Sequence, residues 1–373
     1  MTPTQHTVAS VDQAGAWGVC RSPLELIGKT PVLRVAAPFV PHGRGFWAKL
    51  EGFNPGGIKD RAAHHMLLAA RERGDLLPGG TIVESSSGTF ALALALAGIS
   101  LGHPVVIVHE PLLEPMLRHL LAAYGVRLEC VTEPHPTGGW TEARRERVRE
   151  IRAAIPGAYW PNQYDNPDGV DAYTGLAEEL LEQFERIDTL VCSVGTGGHS
   201  AGVARRLRAV WPDLRVIGVD AVGSVTFGLS GKRGVMRGLG NSIYPRNVAY
   251  DQFHEIHWVG DGEAVHVCRE LARGIGVTGG WSVGCVALVA RWATQVSPAN
   301  TTVVTVFPDG PERYWNSVFD DEFCARHGLL GVQPATEPVE IANPDAHDVQ
   351  RWTRCHTVID PRRVPAPTAE HRP

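Results

Sequence analysis

A single lysine at the start of a predicted helix is the residue in this sequence whose position best suits covalent chemistry. Lys59 is followed by apolar or small residues at helical spacing, among them Ala62, Met66 and Ala70, and this spacing predicts a helix over residues 60–73. A cation there faces the positive end of the helix dipole, and the dipole together with burial lowers the pKa of the amine toward that of a usable nucleophile. An isolated Lys-Asp-Arg run is more often a solvated charge cluster, so this interpretation needs support from elsewhere in the chain.

A glycine-rich turn much later in the chain supplies that support. A short buried strand is predicted at residues 188–194 and a helix at residues 200–211, with the run Gly-Thr-Gly-Gly at 195–198 between them. In such a turn the backbone N–H groups converge on an anion at the helix N-terminus. The run lacks the Lys-Ser/Thr of a P-loop and the full Gly-x-Gly-x-x-Gly, which weakens a nucleotide interpretation, and a plain tight turn is the alternative. A reactive amine and an anion cradle together favour pyridoxal phosphate.

Length and composition limit the number of domains and the classes of partner that the protein can have. The chain has 373 residues, of which 43% are hydrophobic, so it can form about two domains plus extensions. A net charge of −5 offers no broad attraction to nucleic acid or to an anionic membrane. No stretch reaches the ~18 apolar residues of a membrane span, and residues 1–18 lack a signal-peptide pattern, so a cytoplasmic protein is expected. The seven cysteines are scattered without Cys-x-x-Cys, which indicates neither a disulfide framework nor a metal site.

Predicted strands alternate with predicted helices along most of the chain. This alternation predicts an α/β fold with twisted, mostly parallel sheets flanked by helices, in which ligands bind beyond the C-terminal strand ends. The strands are expected at residues 81–83, 104–108, 127–131, 189–194, 215–219 and 302–307, and the other long helices at 141–154, 169–184 and 262–273. Residues 333–373 turn to Pro, His, Thr and Asp without periodicity and are predicted to form an irregular extension.

Seven short segments, in order along the chain, carry a family resemblance. They are Glu-Leu-Ile-Gly-Lys-Thr-Pro-Val (25–32), Asn-Pro-Gly-Gly-Ile-Lys-Asp-Arg (54–61), Glu-Ser-Ser-Ser-Gly-Thr (84–89), Asn-Gln-Tyr-Asp-Asn-Pro (162–167), Gly-Thr-Gly-Gly (195–198), Gly-Gly-Trp-Ser-Val-Gly (279–284) and Phe-Pro-Asp-Gly-Pro-Glu-Arg-Tyr (307–314). With these segments the chain resembles the fold-type II pyridoxal-phosphate enzymes, in particular the cysteine synthases and cystathionine β-synthases.

This resemblance implies a tryptophan synthase β-like architecture of two α/β domains with the cofactor in the cleft between them. The smaller N-terminal domain is expected at residues 46–160, and the larger domain, which carries the phosphate loop, at residues 12–45 and 161–332. A homodimer acting on a small amino-acid donor and a sulfur nucleophile is expected from the family, with no nucleic-acid or membrane partner.

The resemblance also implies which residues bind the cofactor. Lys59 would carry pyridoxal phosphate and serve as the base at the substrate Cα. Ser282 would face the pyridine nitrogen, and because a hydroxyl does not hold a proton there, β-elimination is favoured over full carbanion chemistry. An ordinary serine in a glycine-rich turn is the alternative. The remaining cofactor-binding residues implied by the family are Thr89, Gly195, Thr196, Gly197, Gly198 and His199.

A second set of residues resembles the family's substrate site. Ser86, Ser87 and Gly88 match the loop that clamps the substrate α-carboxylate with hydroxyl and N–H donors, and Gln163 matches the amide that supports it. Arg237 matches a phosphate-gripping arginine of phosphoserine-using relatives, since a planar guanidinium suits a dianionic leaving group. The alternatives are an ordinary strand-end turn for the serines and, for Arg237 with its neighbours Lys232 and Arg233, a solvated charge cluster.

Departures from the family pattern indicate a divergent branch. Thr89 stands where the cysteine synthases have an asparagine that bonds the cofactor 3′-oxygen, and a threonine hydroxyl cannot offer the two sites of an amide. Phe90 replaces a threonine of the carboxylate loop, and Gly57 runs straight into Ile58 without the usual serine. His199 replaces the last threonine of the phosphate loop, where it could donate to phosphate or cap the helix. The loop and the extension resemble the S-sulfocysteine synthase branch.

The sequence therefore predicts a transferase that performs β-replacement on an activated L-serine. The expected donor is O-phospho-L-serine and the expected nucleophile is thiosulfate, which would give S-sulfo-L-cysteine. The first alternative is an O-acetyl-L-serine sulfhydrylase that makes L-cysteine from sulfide. A weakly active, cofactor-binding regulatory protein and a net elimination to pyruvate and ammonia are the others.

Overall fold

Two β-sheets flanked by helices form the fold, which confirms the predicted α/β class. The computed structural model describes residues 19–111, 113–229 and 234–363. The strands are β1 (Val32–Val35), β2 (Phe46–Leu50), β3 (Ile82–Ser85), β4 (Val105–His109), β5 (Arg127–Cys130), β6 (Thr189–Ser193), β7 (Arg215–Ala221), β8 (Glu255–Val259), β9 (Val303–Phe307), β10 (Val339–Ile341) and β11 (Thr353–Cys355). The helices are α1 (Lys59–Arg73), α2 (Thr89–Leu101), α3 (Pro115–Ala123), α4 (Gly139–Ala154), α5 (Asp168–Asp171), α6 (Thr174–Gln183), α7 (Gly198–Arg208), α8 (Asp261–Ile275), α9 (Trp281–Val296) and α10 (Asp321–Arg326).

The larger sheet has eight strands in the order β1-β2-β9-β6-β7-β8-β11-β10, and the smaller has three in the order β3-β4-β5. Every pairing in the smaller sheet and the central pairings of the larger sheet are parallel. Antiparallel pairing occurs near the edges, between β1 and β2 and between β11 and β8. Every residue of β6 and β9 is buried. Such continuous apolar strands are typical of parallel sheets covered by helices on both faces.

Two parts of the predicted domain organisation are wrong. Residues 46–50 were expected in the smaller domain, but β2 lies between β1 and β9 of the larger sheet. Residues 333–373 were expected to be irregular, but β10 and β11 extend the larger sheet beyond β8. Strands of three residues are too short to show a period in the sequence. The predicted start of the larger domain at residue 12 and residues 364–373 of the extension lie outside the described residues, and the remaining domain boundaries stay a prediction.

Side-chain contacts hold the C-terminal strands in place. The Glu263 carboxylate, at the start of α8, accepts the backbone N–H of Trp352 at 2.8 Å. Arg354, on β11, donates to the buried Glu255 of β8, also at 2.8 Å. The extension is therefore an integral part of the larger sheet up to at least residue 355.

Within the described ranges, no helix is both long and apolar enough to cross a membrane.

Candidate active site

One cavity of about 450 Å³ collects most of the residues singled out from the sequence. It lies beyond the ends of β3 and β6, where the chain leaves each strand for the N-terminus of the next helix. The predicted site residues that line it are Lys59, Ser86, Ser87, Gly88, Thr89, Gln163, Gly195, Thr196 and Arg237. Gly197, Gly198, His199 and Ser282 do not line it. Lys232 and Arg233 lie outside the described residues.

Three helices begin at this cavity, and none of them has a side-chain N-cap. Lys59 is the first residue of α1, Thr89 of α2 and Gly198 of α7. The first N–H groups of a helix have no partner inside the helix, and the helix dipole makes that end positive. Convergence of three such ends makes this part of the molecule suitable for an anionic ligand.

Lys59 is half-buried, and its amine has no carboxylate partner among the described residues. Nζ donates one hydrogen bond, to Thr196 Oγ1 at 3.2 Å, which joins the lysine to the glycine turn. Burial lowers the pKa of the amine to about 8. At pH 7 roughly a tenth of this amine is therefore neutral, far more than for a lysine in water, whose pKa is about 10.4.

The glycine turn after β6 is shaped by a close approach of another segment. Gly197 has φ of +86°, and a Cβ at this position would lie 2.6 Å from the backbone nitrogen of Val248. Asn241 holds the turn from a second side by donating to the Gly195 carbonyl at 2.6 Å. Among hydrogen bonds between described residues, none uses the N–H groups of Thr196, Gly197 or Gly198. These three donors form an anion cradle next to Lys59.

The serine loop after β3 is held by a buried carboxyl group. Glu84 accepts the N–H of Trp160 at 2.9 Å, of Ser85 at 2.6 Å and of Gln163 at 3.3 Å. Burial raises the pKa of Glu84 to about 7, although these donors oppose the rise. The Gln163 side chain in turn donates to the Ser85 carbonyl at 3.1 Å. Glu84 thus fixes the two segments that present the predicted carboxylate-binding groups.

His199 and Ser282 lie behind the cavity wall. His199 packs against the edge of Tyr173, and its Nε2 has no hydrogen-bond partner in the described structure. Burial, with a smaller effect of the nearby Lys59 amine, lowers the pKa of His199 to about 3, so the imidazole is neutral. Ser282 Oγ lies 3.6 Å from where a Cβ of Gly238 would be. Gly238 lines the cavity, so the Ser282 hydroxyl lies next to a residue of the cavity wall.

The family described as pyridoxal-phosphate dependent enzymes matches residues 24–309 of this chain. The chain belongs to that family. The predicted cofactor, pyridoxal phosphate, is therefore confirmed at the level of the family.

Curated relatives and a solved structure resemble this pyridoxal-phosphate dependent enzyme over most of its length. It is 37% identical to an N-(2-amino-2-carboxyethyl)-L-glutamate synthase of Ralstonia nicotianae, over 88% of this chain and 97% of the relative. The protein of the same name from Cupriavidus metallidurans is 38% identical over 83% of this chain and 92% of the relative. The O-acetylserine dependent cystathionine beta-synthase of Helicobacter pylori has a similar structure, with a TM-score of 0.75 and 28% identity over 81% of this chain and 99% of that one.

The residues at the cavity fit the cofactor of this family. An enclosed amine without an ion pair suits an aldehyde, and three N–H groups without acceptors suit a phosphate. His199, which follows the glycine turn, is neutral and adds no charge next to these N–H groups. When bound, pyridoxal phosphate withdraws electrons from the substrate Cα, which makes the Cα–H bond acidic.

Arg144 and Glu110 are cavity residues that the sequence did not point to. Arg144, on α4, is buried, pairs with Glu110 and donates to Ser87 Oγ at 2.8 Å. Ser87 also donates to Glu110, at 3.2 Å. No motif marks either residue, because they come from α4 and from the end of β4, which meet only in the folded chain. The basic run around residues 144–149 suggests a solvated helix face, and the ion pairs of Arg147 and Arg149 do lie at the surface.

Proposed function

We propose that the protein catalyses β-replacement on O-phospho-L-serine, with the α-amino group of L-glutamate as the nucleophile. The donor is assigned from the position of Arg237 in the cavity. Its guanidinium lines the same cavity as Lys59 and makes no hydrogen bond or close ion pair with any described residue. Its charge acts on the Glu114 carboxyl, where it opposes the rise in pKa that burial causes. A guanidinium whose donors no described residue uses, next to an enclosed amine, suits a substrate that carries a dianionic phosphate.

The nucleophile is proposed from the relatives. The product named for the Ralstonia and Cupriavidus proteins joins the amino nitrogen of glutamate to the β-carbon of a three-carbon amino acid. This product is what a β-replacement on an activated serine yields when the incoming atom is nitrogen instead of sulfur. Identity of 37% over nearly the whole relative supports the same reaction here.

The first step of the proposed reaction is removal of the substrate Cα proton. The Ser86 hydroxyl and the Ser87 N–H, neither of which donates to a described residue, bind the substrate carboxylate at the N-terminus of α2, and Gln163 holds that loop in place. Lys59, with a pKa of about 8, is close enough to neutral pH to take the Cα proton as a general base. Arg144 holds the Ser87 hydroxyl by a charge-assisted hydrogen bond.

The second step is departure of the β-substituent. The Cβ–O bond breaks and phosphate leaves with the bonding electron pair. Arg237 stabilises the negative charge that develops on the phosphate as it leaves. The amine of glutamate then forms the new Cβ–N bond and loses one proton to solvent, while Lys59 returns its proton to Cα.

Thiosulfate, which the sequence analysis favoured, is the competing nucleophile. It would give S-sulfo-L-cysteine, and Arg237 suits a dianion in this role as well. Sulfide with O-acetyl-L-serine is the second competitor, and the O-acetylserine dependence named for the Helicobacter pylori protein supports that donor. We also propose that the protein is a homodimer and is located in the cytoplasm.

Mass analysis of the products tests this proposal. Purified holoenzyme is incubated with phosphoserine or acetylserine, each with glutamate, thiosulfate or sulfide, and the product masses are measured by mass spectrometry. We expect the main product from phosphoserine with glutamate. A dominant product from thiosulfate or sulfide would reject the glutamate assignment, pyruvate without any nucleophile would indicate elimination, and no turnover by cofactor-loaded protein would indicate a regulatory role.

Arg237→Ala tests the donor assignment separately. We expect kcat/KM for phosphoserine to fall by about 100-fold, the scale of truncating one partner of an enclosed charge pair, while use of acetylserine is retained. The matched control is Arg246→Ala, because Arg246 lies in the same segment but is exposed. Equal losses with both donors would show that Arg237 does not recognise phosphate.

A further inference from the structure

A buried arginine contacts the cavity wall, and neither the family resemblance nor the proposed reaction gives it a role. Arg313 follows β9 in the short turn Glu312–Tyr314, and its side chain is 12% exposed. One guanidinium nitrogen donates to Thr89 Oγ1 at 2.8 Å, and the other terminal nitrogen donates to Asp309 at 3.0 Å. Arg313 therefore joins the turn after β9 to the first residue of α2.

The position of Arg313 is strongly determined by its surroundings. Asp309 accepts from Arg313, from the Tyr314 hydroxyl at 2.5 Å and from the N–H of Gly280 at 3.2 Å. This carboxylate is thus shared among three donors, and the guanidinium keeps its second terminal nitrogen for Thr89. A buried guanidinium held at both ends has little freedom to reorient.

The contact with Arg313 determines what the Thr89 hydroxyl can do. A threonine hydroxyl has one hydrogen and two lone pairs. Because its oxygen accepts from Arg313, its hydrogen is left to donate elsewhere, and a neighbouring cation makes that donation stronger. Thr89 lines the cavity together with Lys59.

The location of Thr89 indicates which oxygen receives this donor. Its methyl group lies 3.5 Å from where a Cβ of Gly57 would be, and Gly57 is two residues before Lys59. The hydroxyl therefore lies beside the segment that leads into Lys59, and it makes no hydrogen bond with the glycine turn among the described residues. It also lies at the positive N-terminus of α2, which favours an oxygen that carries negative charge.

We propose that Arg313 is a positioning residue that orients the Thr89 hydroxyl as a charge-assisted donor to the ring oxygen of pyridoxal phosphate next to the carbon that Lys59 binds. In this chain the Arg313–Thr89 pair provides what a single asparagine amide provides in the cysteine synthases. The inference rests on the proposed function only in that Lys59 carries the cofactor, and it does not depend on the donor or the nucleophile.

A double-mutant cycle on cofactor binding tests the pair. Thr89→Val, Arg313→Met and the double variant are stripped of cofactor, and the dissociation constant for pyridoxal phosphate is measured by fluorescence titration. We expect each single variant to bind about tenfold more weakly, and the double variant to be no weaker than the worse single variant, because the two residues act through one hydrogen bond. Thr89→Ser, which keeps the hydroxyl, and the exposed-arginine control Arg326→Met should bind like wild type.

The absorption spectrum of the bound cofactor supplies a second readout that a merely structural role would not change. Loss of a donor to the ring oxygen should move the visible band in Thr89→Val and in Arg313→Met in the same direction, and Thr89→Ser should restore it. Arg313→Met leaves Asp309 without its cation and can fail to fold, but Thr89→Val leaves that ion pair intact and decides the question alone. Unchanged affinity and spectrum in Thr89→Val would overturn the inference, as would additive losses in the cycle. If wild-type protein binds no pyridoxal phosphate at all, both the inference and the proposed function fail.

Discussion

Two lysines close together in the sequence, Lys49 and Lys59, show how differently this fold treats the same side chain. Lys49, on β2, is fully buried, lies 2.7 Å from the Glu179 carboxylate and donates to the Thr30 carbonyl at 2.6 Å. Lys59, at the start of α1, donates to the Thr196 hydroxyl, and no described carboxylate pairs with it. The region around Lys49 balances its charges, and the region around Lys59 does not.

The balance extends beyond one ion pair. Arg61, two residues past Lys59 and therefore on the opposite side of α1, pairs with Glu51 at 2.6 Å and with Glu179 at 2.8 Å. Two cations and two carboxylates thus form one network near Lys49. Burial lowers the pKa of Lys49, but attraction to Glu179 opposes that change. For Lys59 burial acts alone and brings the pKa to about 8. A buried amine with an ion pair stabilises the fold, whereas an enclosed amine without one is available for chemistry.

The largest expected effect is loss of covalent cofactor attachment in Lys59→Ala. Lys59 makes one side-chain hydrogen bond, so its removal should leave the fold intact while removing the one lysine amine that lines the cavity among the described residues. Borohydride reduction of the wild-type holoenzyme should add the mass of reduced cofactor to the peptide that contains Lys59, and the variant should gain none. Lys49→Met should keep the adduct. An adduct on Lys49, or one that persists in Lys59→Ala, would reverse the roles assigned to the two lysines.

The next largest effect is on stability, and it falls on the other lysine. Lys49→Met removes one member of a buried ion pair, and because Glu179 keeps Arg61 as a partner we expect a cost of about 3 kcal/mol, the lower end for breaking a buried pair. Urea denaturation monitored by fluorescence measures the change. The control is Arg73→Met, which breaks an exposed ion pair with Asp168 and should cost at most about 1 kcal/mol. Equal losses in the free energy of unfolding would mean that the buried network around Lys49 stabilises the fold no more than an exposed ion pair does.

The pH dependence of amine reactivity provides a sharper comparison. In cofactor-free protein, modification of Lys59 by trinitrobenzenesulfonate should rise about tenfold per pH unit up to its pKa of about 8 and then level off. In the unfolded chain the same amine has its ordinary pKa of 10.5 and binds more protons, so the free energy of unfolding rises with pH between about 8 and 10.5. Lys59→Met should lose that rise. Mass mapping of the modified peptides follows Lys59 and Lys49 separately, and a Lys59 rate that still climbs near pH 10 would contradict the assignment.

Much of the site could be predicted because its chemistry is local in sequence. The lysine, the serine loop and the glycine turn each lie at a helix start that periodicity or glycine content marks, and strand ends of the two sheets then meet at one cavity. The direction of the His199 side chain is not marked in the sequence. Its position in the turn left a phosphate contact and a helix cap open, and in the fold its ring packs against Tyr173 and does not line the cavity. The direction of one side chain depends on packing that a linear pattern does not contain.

The parts that the sequence did not predict depend on contacts between distant segments. Arg144 reaches Ser87, and Arg313 reaches Thr89, across separations that only the folded chain closes. Strand β2 carries Lys49 but lies at a sheet position that its local sequence does not specify. Strands β10 and β11 are three residues long and depend on pairing with β8. In each case tertiary contacts, not local propensity, determine the structure.

The smallest expected effect concerns the single hydrogen bond that distinguishes Lys59 from an amine with no partner. Thr196→Val keeps the side-chain shape but removes the hydroxyl that accepts from Nζ at 3.2 Å. An acceptor stabilises the protonated amine, so its loss should lower the pKa of Lys59 further, by roughly half a unit for a hydrogen bond of about 0.7 kcal/mol. The midpoint of the trinitrobenzenesulfonate profile in cofactor-free protein measures this shift, with Thr196→Ser as the control that keeps the acceptor. A midpoint that moves upward would mean that the hydroxyl stabilises the neutral amine. Thr196 would then help to remove the proton from Lys59. The difference in environment between Lys59 and the ion-paired Lys49 would in that case be larger than burial alone makes it.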